Sequence, residues 1–204
     1  MNDRETTSAD GLSAVCVYCG SSPGIDEAYA RAARTLGRTL AERQVTLIYG
    51  GARVGLMGAV ADAAIDAGGH VIGVIPRALV DKEVAHRSLP DLRIVESMHE
   101  RKALMADLSD AFVAMPGGWG TLEELFEAVT WAQLGFHRKP CGLLNVRGYF
   151  DALLAFVGRA VADGFLRQAH ADALLVEEAP DALLAALATA RPPIVAKWIG
   201  REER

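Results

Sequence analysis

The chain has 204 residues, of which 51% are hydrophobic and 23% charged, which is the composition of an ordinary globular protein of one domain. Its formal net charge of −5 argues against a nucleic-acid duplex or an anionic membrane as the main partner, although a local basic cluster can still bind a small anion. No apolar run reaches the roughly 18 residues that are needed to span a bilayer.

The ends of the chain and its cysteines narrow the class further. The first ten residues are polar and acidic, unlike a secretory signal peptide, so we expect a cytoplasmic protein. We expect a single domain over residues 1–204, with a core from about residue 14 to 190 and loosely packed ends. Cys16 and Cys19 have CxxC spacing but fall on a predicted strand, where side chains three apart point to opposite faces. They are therefore predicted to be buried thiols, and the odd number of three cysteines does not form a disulfide framework.

Short β-rich runs alternate with longer amphipathic stretches along most of the chain. The runs are mostly apolar throughout, which is typical of parallel strands covered on both faces; they are Ala14–Tyr18, Val45–Tyr49, Val71–Ile75, Leu92–Val95, Ala111–Met115, Cys141–Asn145 and Leu174–Val176. The stretches have helical periodicity and comprise Glu27–Arg43, Leu56–Ala67, His99–Leu108, Leu122–Leu134, Tyr149–Asp163 and Asp181–Thr189. The alternation predicts a Rossmann-like, doubly wound α/β fold, with a mostly parallel sheet of about seven strands and helices on both faces.

Three glycine-rich segments follow predicted strands. Gly20-Ser21-Ser22-Pro23-Gly24 follows the first strand, Gly50–Gly58 follows the second, and Pro116–Gly120 follows the fifth. Ligands of open α/β sheets bind at the carboxyl ends of the strands, where all three segments lie. The pattern predicts a nucleotide crevice at that edge, with five candidate lining residues: Gly20, Ser21, Gly50, Gly51 and Met57. Met57 is alternatively a core or dimer-interface residue.

The segment after the fifth strand has the features of a phosphate site. Its glycines allow a tight turn, after which Thr121 is predicted to open a helix whose free N–H groups and dipole suit an anion. A second interpretation is that Thr121 and Glu124 form a capping box that only stabilises the helix start. Gly117, Gly118 and Gly120 together favour the ligand, because an ordinary cap does not need three glycines.

A charged cluster opens the helix before that strand. Arg101 and Lys102 lie in its first turn, where cations oppose the helix dipole, so an anionic ligand or a facing carboxylate is expected to offset them. The alternative is that both are solvated surface charges. Glu83, in the loop between Pro76 and Leu89, is predicted to lie on a rim over a charged ligand or, alternatively, in a plain exposed loop.

These motifs together resemble a known family. PGGxGTxxE at Pro116–Glu124, GGxxxGLMG at Gly50–Gly58 and MxxRK at Met98–Lys102 are similar to those of the Lonely Guy (LOG) family, as is the opening Val17–Ser22. Its members are cytokinin riboside 5′-monophosphate phosphoribohydrolases, long mislabelled as lysine decarboxylases. The resemblance runs from about Ala14 to Leu187.

The resemblance implies an activity and a set of site residues. The expected reaction is hydrolysis of the N-glycosidic bond of AMP or N6-modified adenosine 5′-monophosphates to base and ribose 5-phosphate. Arg101 and Glu124 match the catalytic pair. The positions that match nucleotide contacts are Glu83, Lys102, Gly118, Trp119, Gly120, Thr121, Leu122, Glu123 and Thr130. Family members are usually dimers, sometimes larger, and need no metal or organic cofactor, so we expect a homodimer with neither.

The chemistry assigns roles to the charged residues. Glu124, or alternatively Glu123, is expected to position a water at the anomeric carbon and to stabilise an oxocarbenium-like transition state. Arg101 does not release its proton in a protein, so its expected role is to hold the ribose phosphate or Glu124 by bidentate hydrogen bonds.

Three other functions are compatible with an α/β fold of this kind. A pyridoxal-phosphate decarboxylase needs a Schiff-base lysine, and no recognisable cofactor pattern surrounds any of the four lysines, which are Lys82, Lys102, Lys139 and Lys197. An NAD-dependent dehydrogenase needs a GxGxxG motif that is absent in its usual form. A nucleotide- or cofactor-binding module without turnover is the main alternative. The five histidines have no metal-ligand spacing, and the sequence supports no catalytic Ser–His arrangement.

Overall fold

The computed structural model describes residues 11–80 and 85–191. Seven strands form one sheet in the order β4-β3-β2-β1-β5-β6-β7, and every neighbouring pair is parallel. The strands are β1 (Ala14–Tyr18), β2 (Thr46–Tyr49), β3 (Val71–Pro76), β4 (Asp91–Val95), β5 (Ala111–Ala114), β6 (Cys141–Leu144) and β7 (Leu174–Glu177). This confirms the predicted α/β class and all seven strands, with small shifts at their ends.

Helices cover both faces of the sheet. The helices are α1 (Glu27–Glu42), α2 (Gly55–Asp66), α3 (Arg77–Val80), α4 (Met98–Asp107), α5 (Trp119–Leu134), α6 (Asp151–Ala162), α7 (Gln168–Ala171) and α8 (Pro180–Thr189), with a 3-10 turn at Val146–Gly148. Apolar residues of α1, α2 and α8 pack in one core cluster, whereas those of α4 and α5 pack in a second. The sequence did not predict α3, α7 or the 3-10 turn, because segments of three or four residues are too short to show a helical period.

The first strand shows how the two cores are divided. Cys16 lies in the core under α4 and α5, and Cys19 lies in the core under α1 and α2, so the two thiols face opposite sides of the sheet as predicted. Both are free and buried, and burial raises the pKa of each thiol well above its ordinary value. Among residues 11–80 and 85–191, no helix is long and apolar enough to cross a membrane.

The strand order fixes where a ligand can bind. Strand β1 lies between β2 and β5, and from this point the chain builds the sheet outward in both directions. The connection after β1 leads to α1 on one face, and the connection after β5 leads to α5 on the other. Connections that diverge in this way leave a crevice at the carboxyl ends of the strands, which is the usual ligand site of such sheets.

Candidate functional site

The glycine segments after β1, β2 and β5 pack against one another. The Gly20 N–H donates to the Pro116 carbonyl at 3.0 Å, and the Leu56 N–H donates to the Gly20 carbonyl at 3.0 Å. Gly55 has φ +59°, and a Cβ there would lie 2.3 Å from the carbonyl carbon of Ser21. The prediction that these segments share one edge of the sheet is confirmed, and their close approach depends on the missing side chains.

The start of α5 differs from the sequence-based prediction. The helix begins at Trp119 with Gly118 as its N-cap, so Thr121 lies inside the first turn and does not open the helix. Among the residues that the structure describes, no side chain caps this end, and Glu124 faces Arg101 instead of reaching back to the backbone. The capping-box interpretation is therefore wrong. It failed because the helix begins at Trp119, two residues before Thr121, with a glycine as its N-cap.

The glycine turn that precedes α5 has open space on one side only. A Cβ on Gly117 would lie 2.1 Å from the Thr121 Oγ1 atom, whereas a Cβ on Gly118 or Gly120 would meet no atom within 4 Å. The N-terminus of α5 thus presents backbone N–H groups without a side-chain cap toward unoccupied space. Such a helix end attracts an anion through its N–H groups and its dipole.

Arg101 of α4 is 8% exposed and extends across the crevice floor. Its Nε–H donates to the Val74 carbonyl at 3.1 Å, and its Nη2–H donates to the Gly50 carbonyl at 3.2 Å. Its Nη1 atom lies 3.7 Å from Oε1 of Glu124. The guanidinium touches the Gly50 backbone so closely that a Cβ there would be 1.9 Å from Nη2.

Glu124 of α5 is 9% exposed, so its carboxylate is largely removed from water. Burial raises its pKa above the ordinary value, and the neighbouring Arg101 guanidinium opposes that rise. A buried carboxylate close to a cation is the usual environment of a general base or of a group that stabilises a developing positive charge.

Lys102 has different partners from Arg101. Its Nζ atom lies 2.5 Å from Oε1 of Glu123 and 2.9 Å from Oε2 of Glu127. Burial lowers the pKa of Lys102, but the hydrogen bonds from the two carboxylates outweigh that effect and raise it overall. The predicted facing carboxylates thus exist for both cations of the cluster, and Arg101 and Lys102 are not solvated surface charges.

The structure also separates the two candidate acids. Glu123 points outward, with 55% of its side chain exposed and its carboxylate on Lys102. Glu124 points inward beside Arg101, at the edge of the sheet where the glycine segments meet. Of the two, Glu124 has the position and the burial that acid–base chemistry in the crevice requires.

The other predicted site residues are spread over several places. Met57 lies beside Gly50, with its Sδ atom 3.1 Å from a Cβ placed there, and Leu122 is partly buried on α5. Trp119 is 86% exposed at the mouth of the crevice. Thr130 is exposed on α5, six residues beyond Glu124 and thus about 9 Å from it along the helix axis. Glu83 lies outside the described residues.

Sequence reasoning missed the backbone and aromatic partners of the site. The Tyr149 hydroxyl donates to the Gly117 carbonyl at 2.6 Å, across 32 residues of sequence. The Val74 carbonyl, which anchors Arg101, lies on β3. A carbonyl carries no sequence signal, and Tyr149 was read only as part of a helix. Among the described residues, no group of three or more His, Cys, Asp or Glu side chains could hold a metal ion.

The fold and the glycine segments at the carboxyl ends of its strands define a Rossmann-like α/β protein with a ligand crevice at that edge of the sheet. The family whose sequence profile matches residues 57–187 is described as "Possible lysine decarboxylase". The chain belongs to this family, the Lonely Guy family that its motifs resemble.

Two plant relatives are similar in sequence to most of this chain. A probable cytokinin riboside 5′-monophosphate phosphoribohydrolase of Oryza sativa subsp. japonica is 59% identical over 168 residues, which cover 82% of this chain and 73% of the relative. A cytokinin riboside 5′-monophosphate phosphoribohydrolase of the same organism is 54% identical over 154 residues, covering 76% of this chain and 64% of the relative. The match thus leaves about a third of the second relative's length uncovered.

A solved structure extends the likeness in fold. The molybdenum cofactor carrier protein of Chlamydomonas reinhardtii superposes with a TM-score of 0.64 at 23% identity, covering 85% of this chain and 94% of the carrier. At this level of identity the likeness concerns the fold alone, because one α/β scaffold serves many functions.

Proposed function

We propose that this chain hydrolyses the N-glycosidic bond of a purine nucleoside 5′-monophosphate, either AMP or an N6-modified adenosine monophosphate. The products are the free base and ribose 5-phosphate. The observation that carries the proposal is the buried Arg101–Glu124 pair, which lies on the crevice floor one turn from the uncapped start of α5. The names of the plant relatives support the same reaction.

In this proposal the 5′-phosphate of the substrate binds at the start of α5. Gly118 and Gly120 leave open space there, and the N–H groups of the first turn have no side-chain cap. A phosphate bound at this point would anchor the substrate, so binding energy remote from the reacting bond would orient the ribose.

In this proposal the Glu124 carboxylate acts at the anomeric carbon, where the glycosidic bond breaks. In the proposed step, a water oxygen bonds to the anomeric carbon while the bond from that carbon to the base breaks. The bonding pair leaves with the base, which takes up a proton from solvent, and Glu124 accepts a proton from the attacking water and then releases it to solvent. The carboxylate also stabilises the positive charge that develops on the ribose ring.

Arg101 is assigned to hold this carboxylate and the substrate. Its Nε–H and Nη2–H groups donate to the Val74 and Gly50 carbonyls. Its Nη1 atom lies 3.7 Å from Oε1 of Glu124 and 3.8 Å from Sδ of Met98. A guanidinium fixed in this way keeps its position without reorganising during the reaction.

Product analysis tests the reaction. The purified protein is incubated with AMP and with isopentenyl-AMP, and the base and ribose 5-phosphate are separated by chromatography. Equal molar release of both products supports the proposal. Binding of the nucleotide without product, from either substrate, would instead favour a binding module without turnover, the main alternative for this fold.

We also propose that the chain forms a homodimer through the outer face of α5 and α6. Phe126 of α5 is 44% exposed and Phe156 of α6 is 67% exposed, and both line an apolar cavity of about 280 Å³. Exposed apolar side chains gathered in this way mark an interaction surface. Thr130, which matches a nucleotide-contact position, lies on the same face. Light scattering should give a dimer for the wild type and a monomer for Phe156→Glu; an unchanged mass would exclude this face.

The cellular location stays a prediction from the sequence. We propose the cytoplasm, and cell fractionation with an antibody to the native chain would test it.

A further inference from the structure

A chain of polar contacts lies outside the catalytic pair, between α2 and the segment that precedes β4. His86 is 6% exposed, and its Nε2 atom lies 2.8 Å from Oδ1 of Asp62. The Ser88 hydroxyl lies 3.0 Å from the other ring nitrogen, Nδ1. An ionised carboxylate can only accept a hydrogen bond, so the Nε2–H group of His86 donates to Asp62. Both ring nitrogens are therefore engaged, one by Asp62 and the other by Ser88.

The sequence did not predict this arrangement, because Asp62 and His86 are 24 residues apart. Two arginines, Arg53 and Arg87, line the same surface depression as His86. None of these residues belongs to the pair or to the phosphate site described above.

The backbone of His86 connects this series of polar contacts to the crevice. The His86 N–H donates to the Gly51 carbonyl at 2.8 Å, and Ala85 forms an antiparallel bridge with Ala52. The peptide next to Gly51 carries the Gly50 carbonyl, which accepts from Nη2 of Arg101. Consecutive contacts therefore lead from Asp62 through His86 and the Gly50–Gly51 turn to Arg101 and Glu124.

The glycine turn depends on support from both sides. Gly51 has φ +71°, and a Cβ there would lie 3.1 Å from the side chains of Ile75 and Leu92, so the sheet holds one side of the turn. On the other side, the main-chain bond from His86 holds the Gly51 carbonyl. Since the His86 ring is in turn fixed by Asp62 and Ser88, the side-chain contacts set the position of that bond.

We infer that His86, held by Asp62, is a positioning residue that fixes the Gly50–Gly51 turn and thereby the orientation of the Arg101–Glu124 pair. The inference rests on the proposed function, since it assigns these contacts a role in the same reaction. Because His86 lies far from the start of α5 in the contact chain, it should affect turnover more than phosphate binding.

Three substitutions of His86 separate hydrogen bonding from packing. His86→Gln keeps a side-chain N–H for Asp62 and an oxygen for Ser88, His86→Phe keeps the volume without either contact, and His86→Ala removes both. We expect kcat for AMP to fall about tenfold in the Phe and Ala variants, with KM within about twofold, because small displacements of catalytic groups are costly. The Gln variant should recover most of kcat.

Asp62→Ala should give the same loss as His86→Ala, and the double variant should lose no more than either single one, because both act through one contact. Asp181→Asn is the matched control. Its carboxylate is similarly exposed and accepts one hydrogen bond from Arg43 at 2.9 Å, but it joins α8 to α1. This variant should keep wild-type kcat.

A second readout does not depend on turnover. Hydrogen exchange of peptides that cover residues 50–57 and 97–105 should speed up in His86→Phe and not in His86→Gln. Wild-type kcat in the Phe and Ala variants, or a loss that Gln does not restore, would overturn the inference. If the wild type has no hydrolase activity, the proposed function fails, and unchanged exchange in His86→Phe would then overturn the inference by itself.

Discussion

The Arg101 guanidinium and the Glu124 carboxylate face each other across the crevice floor, with Nη1 3.7 Å from Oε1 and both side chains about nine-tenths buried. At this distance the pair is an electrostatic contact without a short hydrogen bond, so Glu124 keeps its acceptor atoms for water or substrate. Two hydrogen bonds, to the Val74 and Gly50 carbonyls, hold the Arg101 guanidinium in this position. The site therefore holds one inward-facing carboxylate, that of Glu124, beside the fixed guanidinium of Arg101.

Replacing Glu124 separates chemistry from binding. Glu124→Gln keeps the volume but cannot accept a proton from water, so kcat should fall on the order of 10²-fold or more while KM stays within a few-fold. Glu123→Gln is the control, because Glu123 faces outward on Lys102. Steady-state kinetics with AMP checks both. A larger loss in Glu123→Gln than in Glu124→Gln would give the catalytic role to Glu123.

The pH dependence of turnover follows from the environment of Glu124. The carboxylate must be ionised to act, and burial raises its pKa above the ordinary 4.5. Activity should therefore fall as the pH drops through a value above 4.5. Arg101→Gln removes the cation that opposes this rise, so the acid limb of the kcat/KM profile should move to higher pH. A limb that stays in place would show that Glu124 does not cause it.

The same shift predicts an effect on stability with a definite sign. A folded-state pKa above the unfolded value stabilises the fold at low pH, and this contribution is lost as the pH rises through the folded-state pKa. Glu124→Gln should thus gain thermal stability relative to the wild type at neutral pH, and the gain should vanish below about pH 4, where both side chains are neutral. Calorimetry across this range measures it; a gain that does not depend on pH would contradict the argument.

Paired glycine substitutions test the phosphate site. Gly120→Ala meets no atom within 4 Å, so it should fold like the wild type but raise KM for AMP about tenfold or more by narrowing the approach to the helix N-terminus. Gly117→Ala meets Thr121 Oγ1 at 2.1 Å and should lower the unfolding temperature. If a folded Gly120→Ala protein bound AMP as tightly as the wild type, the phosphate would have to bind at a place other than the start of α5.

Lys102 has a structural role that its two carboxylate partners predict. Removing it in Lys102→Met leaves Glu123 and Glu127 facing each other without a cation, and should lower stability by about 1–3 kcal/mol at neutral pH. Because the pKa of Lys102 is raised, its stabilising contribution should persist at neutral pH and decline only above the ordinary 10.5. Denaturant unfolding at several pH values would check it, and an unchanged midpoint at pH 7 would contradict it.

The sequence predicted the sheet well because buried parallel strands and amphipathic helices have strong patterns. It also brought Arg101 and Glu124 to attention through their motifs. It misplaced the start of α5, because a glycine can serve as an N-cap without any side-chain signal. Contacts made by carbonyls, such as Gly50 with Arg101, and pairs distant in sequence, such as Asp62 with His86, depend on the tertiary structure and could not be predicted from local pattern.

The demand for a 5′-phosphate tests the central claim most directly. Base release is measured for AMP and adenosine, and for isopentenyl-AMP and its nucleoside, at matched concentrations. If the start of α5 holds the phosphate while Glu124 acts at the anomeric carbon, kcat/KM for each monophosphate should exceed that of its nucleoside by about 10³-fold or more. Equal kcat/KM values for monophosphate and nucleoside would contradict the account.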